Sequence, residues 1–413
     1  MKTIKKYIVL SFIFTVLFQC LSFGQGSTYA GAFRTSTQIL YYNGYNNQTI
    51  DGLQIANPAS GRCIALENST NVTIQNCKFG PSQDVAIYLY KCTNITIKNC
   101  TFENIASGLL AEYSSGIKFI YNDVKNCLGP TPGRGQMAHL VNCSGGGNQI
   151  NFNSCENISG QSSAEDIINL GSSDGIVGDP IQVKGNWLRG GGPSSTGGGI
   201  MTGDSGGSWQ LVEDNICVNT GNYGIANAGG HDIIIRNNKI YSAKTDISNV
   251  GLYVWNQQSG LTSYNITIEN NQVLWNSKNG GLNNFWNAEN SGTVVGWSTN
   301  TSNSTLNSAI LPTIIIGRAK GVTTEISSTV PSTNEIKIYP NPATDHITIE
   351  TSQTVKNGSI SIYNIKGQKL IEQSLKIGNT DLDTQNLALG VYIMRISINN
   401  NQTEEKKLII GAK

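Results

Sequence analysis

The chain has 413 residues, including 46 glycines and 10 prolines, and only 13% of its residues are charged; this length allows two or three domains. Its formal net charge is +1, which gives no reason to expect nucleic acid or an anionic membrane surface as a partner. Gly and Asn tolerate the positive φ of sharp corners, so the composition indicates many short strands joined by tight turns.

The N-terminal residues form a targeting segment. Three lysines precede and border the apolar run 7–18, which is too short to span a bilayer. Ser22 and Gly24 fit a signal-peptidase site, which predicts a signal peptide over residues 1–24 and a mature chain that begins near Gln25. No second apolar stretch of spanning length follows, so the sequence predicts an exported protein without a transmembrane segment.

An eight-residue pattern of alternating apolar residues followed by Asn or Cys recurs along the next 250 or so residues. A weaker copy begins at Gln48, and eight strong copies begin at Val72, Ile95, Ile117, Ile150, Ile181, Gln210, Ile233 and Ile266. Coils of about 22 residues with loops of variable length are typical of a parallel β-helix, in which each coil buries its apolar side chains against its neighbours. The pattern therefore predicts an all-β fold with a right-handed parallel β-helix of about nine coils over residues 25–317.

The sixth position of the strong copies predicts a ladder of stacked side chains. It holds, in order, Cys77, Cys100, Asn122, Cys155, Asn186, Asn215, Asn238 and Asn271. An inward Asn can hydrogen-bond the equivalent Asn of the adjacent coils, which satisfies its buried polar atoms. Because Cys shares this position with Asn, free thiols are favoured there, although Cys77 and Cys100 would lie within disulfide range.

A second strand can be aligned in each coil, and its outward residues define a candidate binding face. If Ile87, Ala138 and Ile167 point inward, one outward row contains Tyr88, His139, Ile168, Met201, Tyr253 and Asn283. The other row contains Tyr90, Leu170, Gly203, Trp255 and Phe285.

This register places His139 and Asp166 on neighbouring coils of one face, with Gln136 and Glu165 at its edge. The face also carries aromatic platforms of the kind that stack on sugar rings, namely Tyr88, Tyr90, Tyr253 and Trp255. The predicted binding groove is therefore centred near His139 and Asp166.

Two Gly-containing segments lengthen the coils beside this face. Residues 129–136 bring Arg134 close to His139, and residues 189–207 contain Arg189 and Asp204. Gly in a strand context lets a ligand or another backbone approach closely. The three His residues of the chain are widely separated, so the sequence predicts no metal site, and it indicates no cofactor.

Residues 134–235 resemble a group of exported parallel β-helix proteins and, more loosely, polysaccharide-degrading enzymes. The likeness rests on residues 165–169 (EDIIN), 189–194 (RGGGPS) and 229–231 (GGH). The acidic pair Glu165–Asp166 is similar to the paired carboxylates of polygalacturonase-type glycosidases. In place of their Gly-His-Gly, this chain has Gly-Gly-His, which makes His231 a candidate substrate-binding residue.

The coils end near Gly317, and residues 318–335 form a polar, Ser- and Thr-rich linker. Alternating segments over residues 336–413 predict half-buried antiparallel strands and a small β-sandwich. This segment closely resembles the type IX (Por) secretion sorting domain in residues 339–342 (YPNP), Tyr363-Asn364 with Gly367, and Leu389-Gly390 with Tyr392. The resemblance implies that the type IX machinery is a partner and that the chain is secreted or attached to the outer cell surface.

Three functions fit these features. A glycoside hydrolase of the inverting type needs two carboxyl groups roughly 6.5–9.5 Å apart; the candidate catalytic residues are Asp166, Glu165, Asp204 and His139. Its polysaccharide substrate would contact Arg134, Gln136, Arg189, His231 and the four aromatic residues. A lyase acting on a uronate-containing glycan needs a base and cationic groups, for which the candidates are Lys184, Arg189, Arg134 and His139. A non-catalytic glycan-binding adhesin would use the aromatic rows alone.

Overall fold

The computed structural model describes residues 26–36, 38–59, 61–130, 133–317, 337–341, 343–351, 358–364, 368–376, 378–398 and 402–411. The predicted signal peptide and linker lie outside these residues. The chain divides into two compact units, Met1–Val322 and Thr323–Lys413. The first unit is a solenoid of parallel strands, and the second is a small antiparallel domain.

The strands of the solenoid form three faces, here named sheets A, B and C, which each coil visits in that order. Sheet A contains Leu40–Asn43, Ile64–Glu67, the second halves of Lys78–Tyr90 and Thr101–Glu112, Ala138–Val141, Ile168–Asp174, the first part of Ile200–Glu213, Tyr223–Asn227, Val250–Val254 and Phe285–Asn287. Sheet B contains Gln48–Asp51, Thr70–Gln75, Thr93–Lys98, Ser115–Ile120, Gln149–Asn151, Ile181–Lys184, the second part of Ile200–Glu213, His231–Arg236, Tyr264–Glu269 and Val294–Val295.

Sheet C contains Arg34–Thr35, Leu53–Asn57, the first halves of Lys78–Tyr90 and Thr101–Glu112, Asp123–Cys127, Ser154–Glu156, Trp187–Arg189, Ile216–Val218, Lys239–Ser242, Gln272–Trp275 and Thr301–Ser302. Two 3₁₀ turns, Trp297–Thr299 and Ser308–Ile310, follow or border the last coil. The predicted parallel β-helix is confirmed. In the part of the chain that the structure describes, it has one more coil than predicted, because Val294–Val295 is too short to show the repeat.

Inside the solenoid, alternate residues of all three sheets form one continuous apolar core. The repeat predicts this arrangement, because inward residues alternate with outward ones along each strand. In the core, Phe79, Phe102 and Phe119 stack on successive coils, with ring centroids 4.9 and 5.5 Å apart. Each coil therefore supplies the packing surface for the next.

The ladder at the turn from sheet B to sheet C is present. Its asparagines are Asn122, Asn153, Asn186, Asn215, Asn238, Asn271 and Asn300, and each Nδ2 before the last donates to the next Oδ1 over 2.8–3.1 Å. The same Oδ1 atoms also accept the backbone N–H of the preceding Asn. The ladder therefore satisfies buried polar groups in two ways at every coil.

One position of the predicted ladder is wrong. The strand in that coil pairs Ile150 with Phe119, so the copy begins two residues earlier than predicted and its sixth position is Asn153. Cys155 instead lies on sheet C, where it pairs with Val124 and Leu188. All eight cysteines of the described residues are buried and free; for Cys77 and Cys100 this agrees with the prediction from the shared Cys and Asn position.

The C-terminal unit contains two antiparallel sheets. One is formed by Lys337–Tyr339, His346–Thr351 and Gly378–Asp383, and the other by Lys369–Leu375, Gly358–Tyr363, Gly390–Ile398 and Gln402–Ile410. Ile347, Ile349, Ile360, Ile362 and Met394 are fully buried in its core. This unit has the small antiparallel β fold that the sequence predicts.

After the last coil, residues 303–317 run back over the outer face of sheet C; this segment is here named the strap. Leu311 and Ile315 of the strap pack on Trp187 and Val218, which point outward from the sheet. Gly317 N–H donates to Asp123 Oδ2 over 2.8 Å. The strap therefore covers an apolar patch and ends beside the fifth of the eleven described strands of sheet C.

Arg189 fastens the strap. Its guanidinium donates to the carbonyls of Pro312 and, over 2.8 Å, Thr313, and it pairs with Glu156 at 3.0 Å. Because the contacts with Glu156 and Pro312 are partly buried, we expect Arg189→Ala to lower the free energy of unfolding by about 2 kcal/mol. Denaturant unfolding measures this loss, with Lys239→Ala, an exposed change on the same sheet, as the matched control. A raised KM with unchanged stability would instead support the substrate-binding role predicted for Arg189.

Candidate functional site

The strand pairing of sheet A corrects the predicted outward rows. Ile168 pairs with Ala138 and points inward, so Asn169 lies outward beside His139. In the last coil Phe285 pairs with inward Leu252, so Trp286 rather than Asn283 lies outward, next to Tyr253. The outward row is therefore Tyr88, Leu110, His139, Asn169, Met201, Ala226, Tyr253 and Trp286.

A groove with a volume of ≈ 450 Å³ lies on the C-terminal half of this face. It runs from the strand of Asn169 to the strand of Trp286, which is four strand steps or about 19 Å. Its lining residues are Glu165, Asp166, Ser195, Thr196, Met201, Asp204, Asn222, Asn249, Val250, Tyr253, Trp255, Gln257 and Trp286. The predicted candidates Glu165, Asp166, Asp204, Tyr253 and Trp255 are thus brought together.

Asp166 lies in the wall of the groove and is only 7% exposed. Its Oδ1 accepts hydrogen bonds from the hydroxyl of Tyr223 and, over 3.1 Å, from Gly198 N–H. Burial raises the pKa of Asp166 to about 7, against the hydrogen bonds from Tyr223 and Asn169 and with a further upward contribution from the charge of Glu165. A large fraction of Asp166 is therefore protonated at neutral pH.

The Gly-rich segment explains how Tyr223 reaches Asp166. A Cβ at Gly198 would lie 2.6 Å from the ring of Tyr223, and a Cβ at Gly199 would lie 2.2 Å from the carbonyl of Gly224. Only Gly permits this close approach. The glycines at these two positions therefore admit another part of the chain rather than a ligand.

Asn169 links two carboxylates. Its Nδ2 donates to Asp166 Oδ2 over 2.8 Å and to Asp204 Oδ2 over 2.9 Å. Since both oxygens lie on one nitrogen, they are at most about 5.7 Å apart. This spacing is shorter than the roughly 6.5–9.5 Å of the inverting arrangement that the sequence suggested, and is near the roughly 5–5.5 Å of retaining glycosidases.

Glu165 and His139 flank this pair. Glu165 Oε1 accepts the hydroxyl of Thr196 over 2.8 Å, and its Oε2 is buried without a hydrogen-bond partner among the described residues. Burial lowers the pKa of His139 to about 4, although the charge of Asp204 opposes this shift. His139 is therefore neutral at pH 7 and supplies no positive charge to the site.

Two exposed tryptophans stand at the far end of the groove. Trp255 and Trp286 are 42% and 44% exposed, and their ring centroids are 5.7 Å apart. Tyr253 is largely buried beneath them, with its ring 5.9 Å from Trp286, and its hydroxyl accepts a hydrogen bond from Gln257. The tryptophans offer free ring faces for stacking, while Tyr253 forms the floor.

Other predicted binding residues on sheet A lie outside the groove. The guanidinium of Arg62 lies 3.6 Å above the Tyr88 ring and covers one of its faces. Tyr90 contacts Tyr113 edge-on. Arg134 pairs with Asp84 at 2.7 Å.

Three further candidates are engaged within the fold. Gln136 is buried and accepts a hydrogen bond from Ser107 over 3.0 Å. His231 stacks on Tyr264 at the start of a sheet B strand, with its Nδ1 2.6 Å from Asp232. Arg189 lies on sheet C beneath the strap, so the structure does not bring these residues to the groove.

Sequence reasoning missed Asn169, Tyr223 and Trp286. Two consecutive buried isoleucines precede Asn169. The sequence alone does not show which of the two starts the strand, so the predicted register is shifted by one residue. Tyr223 lies in a Gly-rich segment, and its contact with Asp166 forms between different coils, so the local sequence does not indicate it. Trp286 follows a nine-residue connection after Trp275, so no periodic signal fixed its position.

Within the described residues, no group of three or more His, Cys, Asp or Glu side chains is placed to hold a metal ion. No helix in the same part of the chain is long and apolar enough to cross a membrane.

Comparison with known proteins identifies two regions of the chain. Residues 25–157 match the model of the right handed beta helix region. The catalytic domain of a GH87 alpha-1,3-glucanase in complex with nigerose is similar at 14% identity, with a TM-score of 0.39 over 68% of this chain and 62% of the glucanase domain. A second structure of that glucanase domain has a TM-score of 0.32, also at 14% identity, over 63% of this chain and 56% of the other. This level of similarity is no guide to the chemistry of the groove.

One curated protein is similar over a short stretch. Beta-agarase D of Zobellia galactanivorans is 30% identical over 79 residues, which is 19% of this chain. The chain spans about 16% of the length of that relative in this match.

The C-terminal unit determines where the protein goes. Residues 337–411 match the model of the secretion system C-terminal sorting domain. This agrees with the sequence features that resemble the type IX sorting domain. The chain carries a type IX sorting domain and is exported to the cell surface or secreted.

Proposed function

We propose that this protein is a glycoside hydrolase that cleaves a polysaccharide in the groove of sheet A. The observation that carries the proposal is the pairing of Asp166 and Asp204 on the single amide nitrogen of Asn169. Two carboxyl groups in unlike surroundings, one buried and one half-exposed, are the arrangement that acid-assisted cleavage of a glycosidic bond requires. The match to a beta-agarase supports a carbohydrate-active protein at a coarser level.

Asp166 has the properties of the general acid. It holds a proton near pH 7 because it is buried, and it delivers that proton to the glycosidic oxygen as the bond from C1 to that oxygen breaks. Tyr223 and Asn169 fix the orientation of the carboxyl group. Asp166 is left ionised. It then regains a proton from solvent if Asp204 has activated the water, or takes one from the water that displaces Asp204 if Asp204 has attacked C1.

Asp204 is the second carboxylate. Two routes use such a group: it takes a proton from the water that adds to C1, or it attacks C1 itself and is later displaced by water. The first inverts the configuration at C1 and the second retains it. Proton NMR of the first-formed product reports the anomer and hence the route.

The lyase alternative has less support. Proton abstraction beside a uronate needs a cation that neutralises the substrate carboxylate, and none of the groove residues that the structure describes is Lys or Arg. Lys184, a candidate for that role, lies on sheet B and pairs with Glu213 at 2.7 Å. The neutral His139 does not replace it.

A polysaccharide panel tests the proposal directly. The exported protein is incubated with neutral, sulfated and uronate-containing glycans while reducing ends and absorbance near 235 nm are followed. We expect new reducing ends without the unsaturated product. Absorbance that rises with the reducing ends identifies a lyase, and binding without any product identifies an adhesin.

The exposed tryptophans should hold the glycan. We expect Trp255→Ala and Trp286→Ala each to raise KM about tenfold, because each removes a stacking face. Tyr264→Ala is the matched control, since Tyr264 is also exposed but lies on sheet B outside the groove. An equal rise in KM for Tyr264→Ala would contradict the groove as the glycan-binding site.

A further inference from the structure

The groove has an unusual charge for a surface that meets a polymer. Three of its thirteen lining residues are carboxylic acids, namely Glu165, Asp166 and Asp204, and no Lys, Arg or His among the described residues lines it. The other polar lining residues are the uncharged side chains of Ser195, Thr196, Asn222, Asn249 and Gln257. The groove is therefore acidic, and its remaining polar contacts are neutral.

Four cations of the solenoid that hold ion pairs lie outside the groove. Arg134 pairs with Asp84 at 2.7 Å, and Arg62 pairs with the same carboxylate at 3.3 Å. On sheet B, Lys184 and Arg236 both pair with Glu213 at 2.7 Å. Among the thirteen lining residues, a substrate anion would therefore meet carboxylates and no cation.

We propose that the groove selects an uncharged polysaccharide and rejects chains that carry uronate or sulfate groups. Neutral sugars gain hydroxyl hydrogen bonds from the amide and hydroxyl side chains and stacking from Trp255 and Trp286. An anionic sugar would gain the same contacts but meet repulsion from Glu165 and Asp204, which a partly desolvated site screens poorly. The cleavage part of this inference rests on the proposed hydrolase function, whereas the binding part does not.

Length is the second property of this substrate. Asp166 precedes the strand of Asn169, and the strand of Trp286 lies four strand steps or about 19 Å away, whereas the strands of Asp204 and Trp255 are two steps or about 10 Å apart. A glycan that uses both ends must span several sugar rings on one side of the cleaved bond. We therefore expect affinity to rise with oligosaccharide length until the chain reaches Trp286.

The test compares each neutral polysaccharide with its own C6-oxidised form, which has the same backbone but carries uronate groups. Hydrolysis is followed with the wild-type protein, and binding with Asp166→Asn at pH 6, where the amide imitates the protonated acid. We expect the oxidised form to be cleaved and bound at least about tenfold less well, with the difference shrinking as salt is added.

A charge change in the groove sharpens this test. Asn249 is exposed at the groove wall, so Asn249→Lys should reduce the discrimination between the two forms severalfold. Thr93→Lys, an exposed position on sheet B, adds the same charge elsewhere and should leave the discrimination unchanged.

The outcomes separate the two proposals. Equal or better use of the oxidised glycan, or no binding to any neutral glycan, overturns the selection of an uncharged chain. Neutral glycans that bind through the tryptophans but are never cleaved overturn the hydrolase and leave the selectivity standing. Hydrolysis of an anionic glycan but of no neutral glycan overturns the selectivity and leaves the hydrolase standing.

Discussion

Replacing Asp166 with asparagine is expected to lower kcat on the cleaved glycan by about 10²–10⁴-fold, the contribution typical of a general acid. The amide keeps the size of the side chain and can still accept the Tyr223 hydroxyl, but it has no acidic proton to give. Asp204→Asn should cause a comparable loss by removing the second carboxylate. Asp246→Asn, an exposed change at residue 246 outside the groove, is the matched control.

The same substitution should change the pH dependence of activity and stability. In the wild type, kcat/KM should fall as pH rises above about 7, because Asp166 loses the proton it must donate. Its pKa is higher in the folded state than the unfolded value of 3.8, so its favourable contribution to stability is present below about 4 and is lost as pH rises through about 7.

Asp166→Asn removes this pH-dependent loss, and we expect the variant to be at least as stable as the wild type at pH 8 while inactive. Thermal unfolding at pH 5 and pH 8 measures both proteins. A variant that is inactive because it is unfolded, or one that retains full activity, would contradict the assignment of Asp166 as the acid.

Replacing Asn215 with alanine is expected to lower the free energy of unfolding by about 3–5 kcal/mol. The change removes the acceptor for two N–H groups of Asn186 and the donor to Val183 O and Asn238 Oδ1. Each buried polar group left without a partner costs about 1–3 kcal/mol before the coil relaxes. Denaturant unfolding, followed by the far-ultraviolet signal of the strands, measures the loss.

An exposed asparagine stack supplies the control. Asn94 donates to Asn71 over 2.7 Å between neighbouring coils, as the ladder does, but both are exposed and have positive φ. Asn94→Gly keeps the backbone conformation accessible and should cost less than about 1 kcal/mol. If the buried and exposed changes cost the same, hydrogen bonding in the interior does not stabilise the solenoid.

The sequence predicted the core of the solenoid well because sheet B repeats with little interruption. The copies that begin at Val72, Ile95 and Ile233 lie on strands with alternating inward and outward residues, and each has a ladder residue two positions after its strand ends. In a solenoid each such coil must match its neighbours, so one repeated pattern specifies many contacts. Even there, the short strand at Ile150 moved the ladder from Cys155 to Asn153.

Sheet A was harder to predict because its strands follow connections of variable length. A slip of one residue exchanges the inward and outward sides of a strand, which is how Asn169 was taken for an inward residue and Ile168 for an outward one. The three carboxylates were still identified, because Glu165 and Asp166 are adjacent in the sequence and Asp204 lies in a recognisable Gly-rich run. Contacts between distant coils, such as that of Tyr223 with Asp166, leave no local pattern.

The strap was not predicted, since residues 303–317 lack the alternating pattern of the repeat and their apolar partners Trp187 and Val218 look like ordinary strand residues. Its path has a mechanical consequence for a protein exported to a cell surface. Tension applied to the chain beyond Gly317 acts first on the bonds at Asp123 and Arg189, along the flank of the solenoid. Those bonds and the packing of Leu311 and Ile315 must therefore break before the tension reaches the last coil.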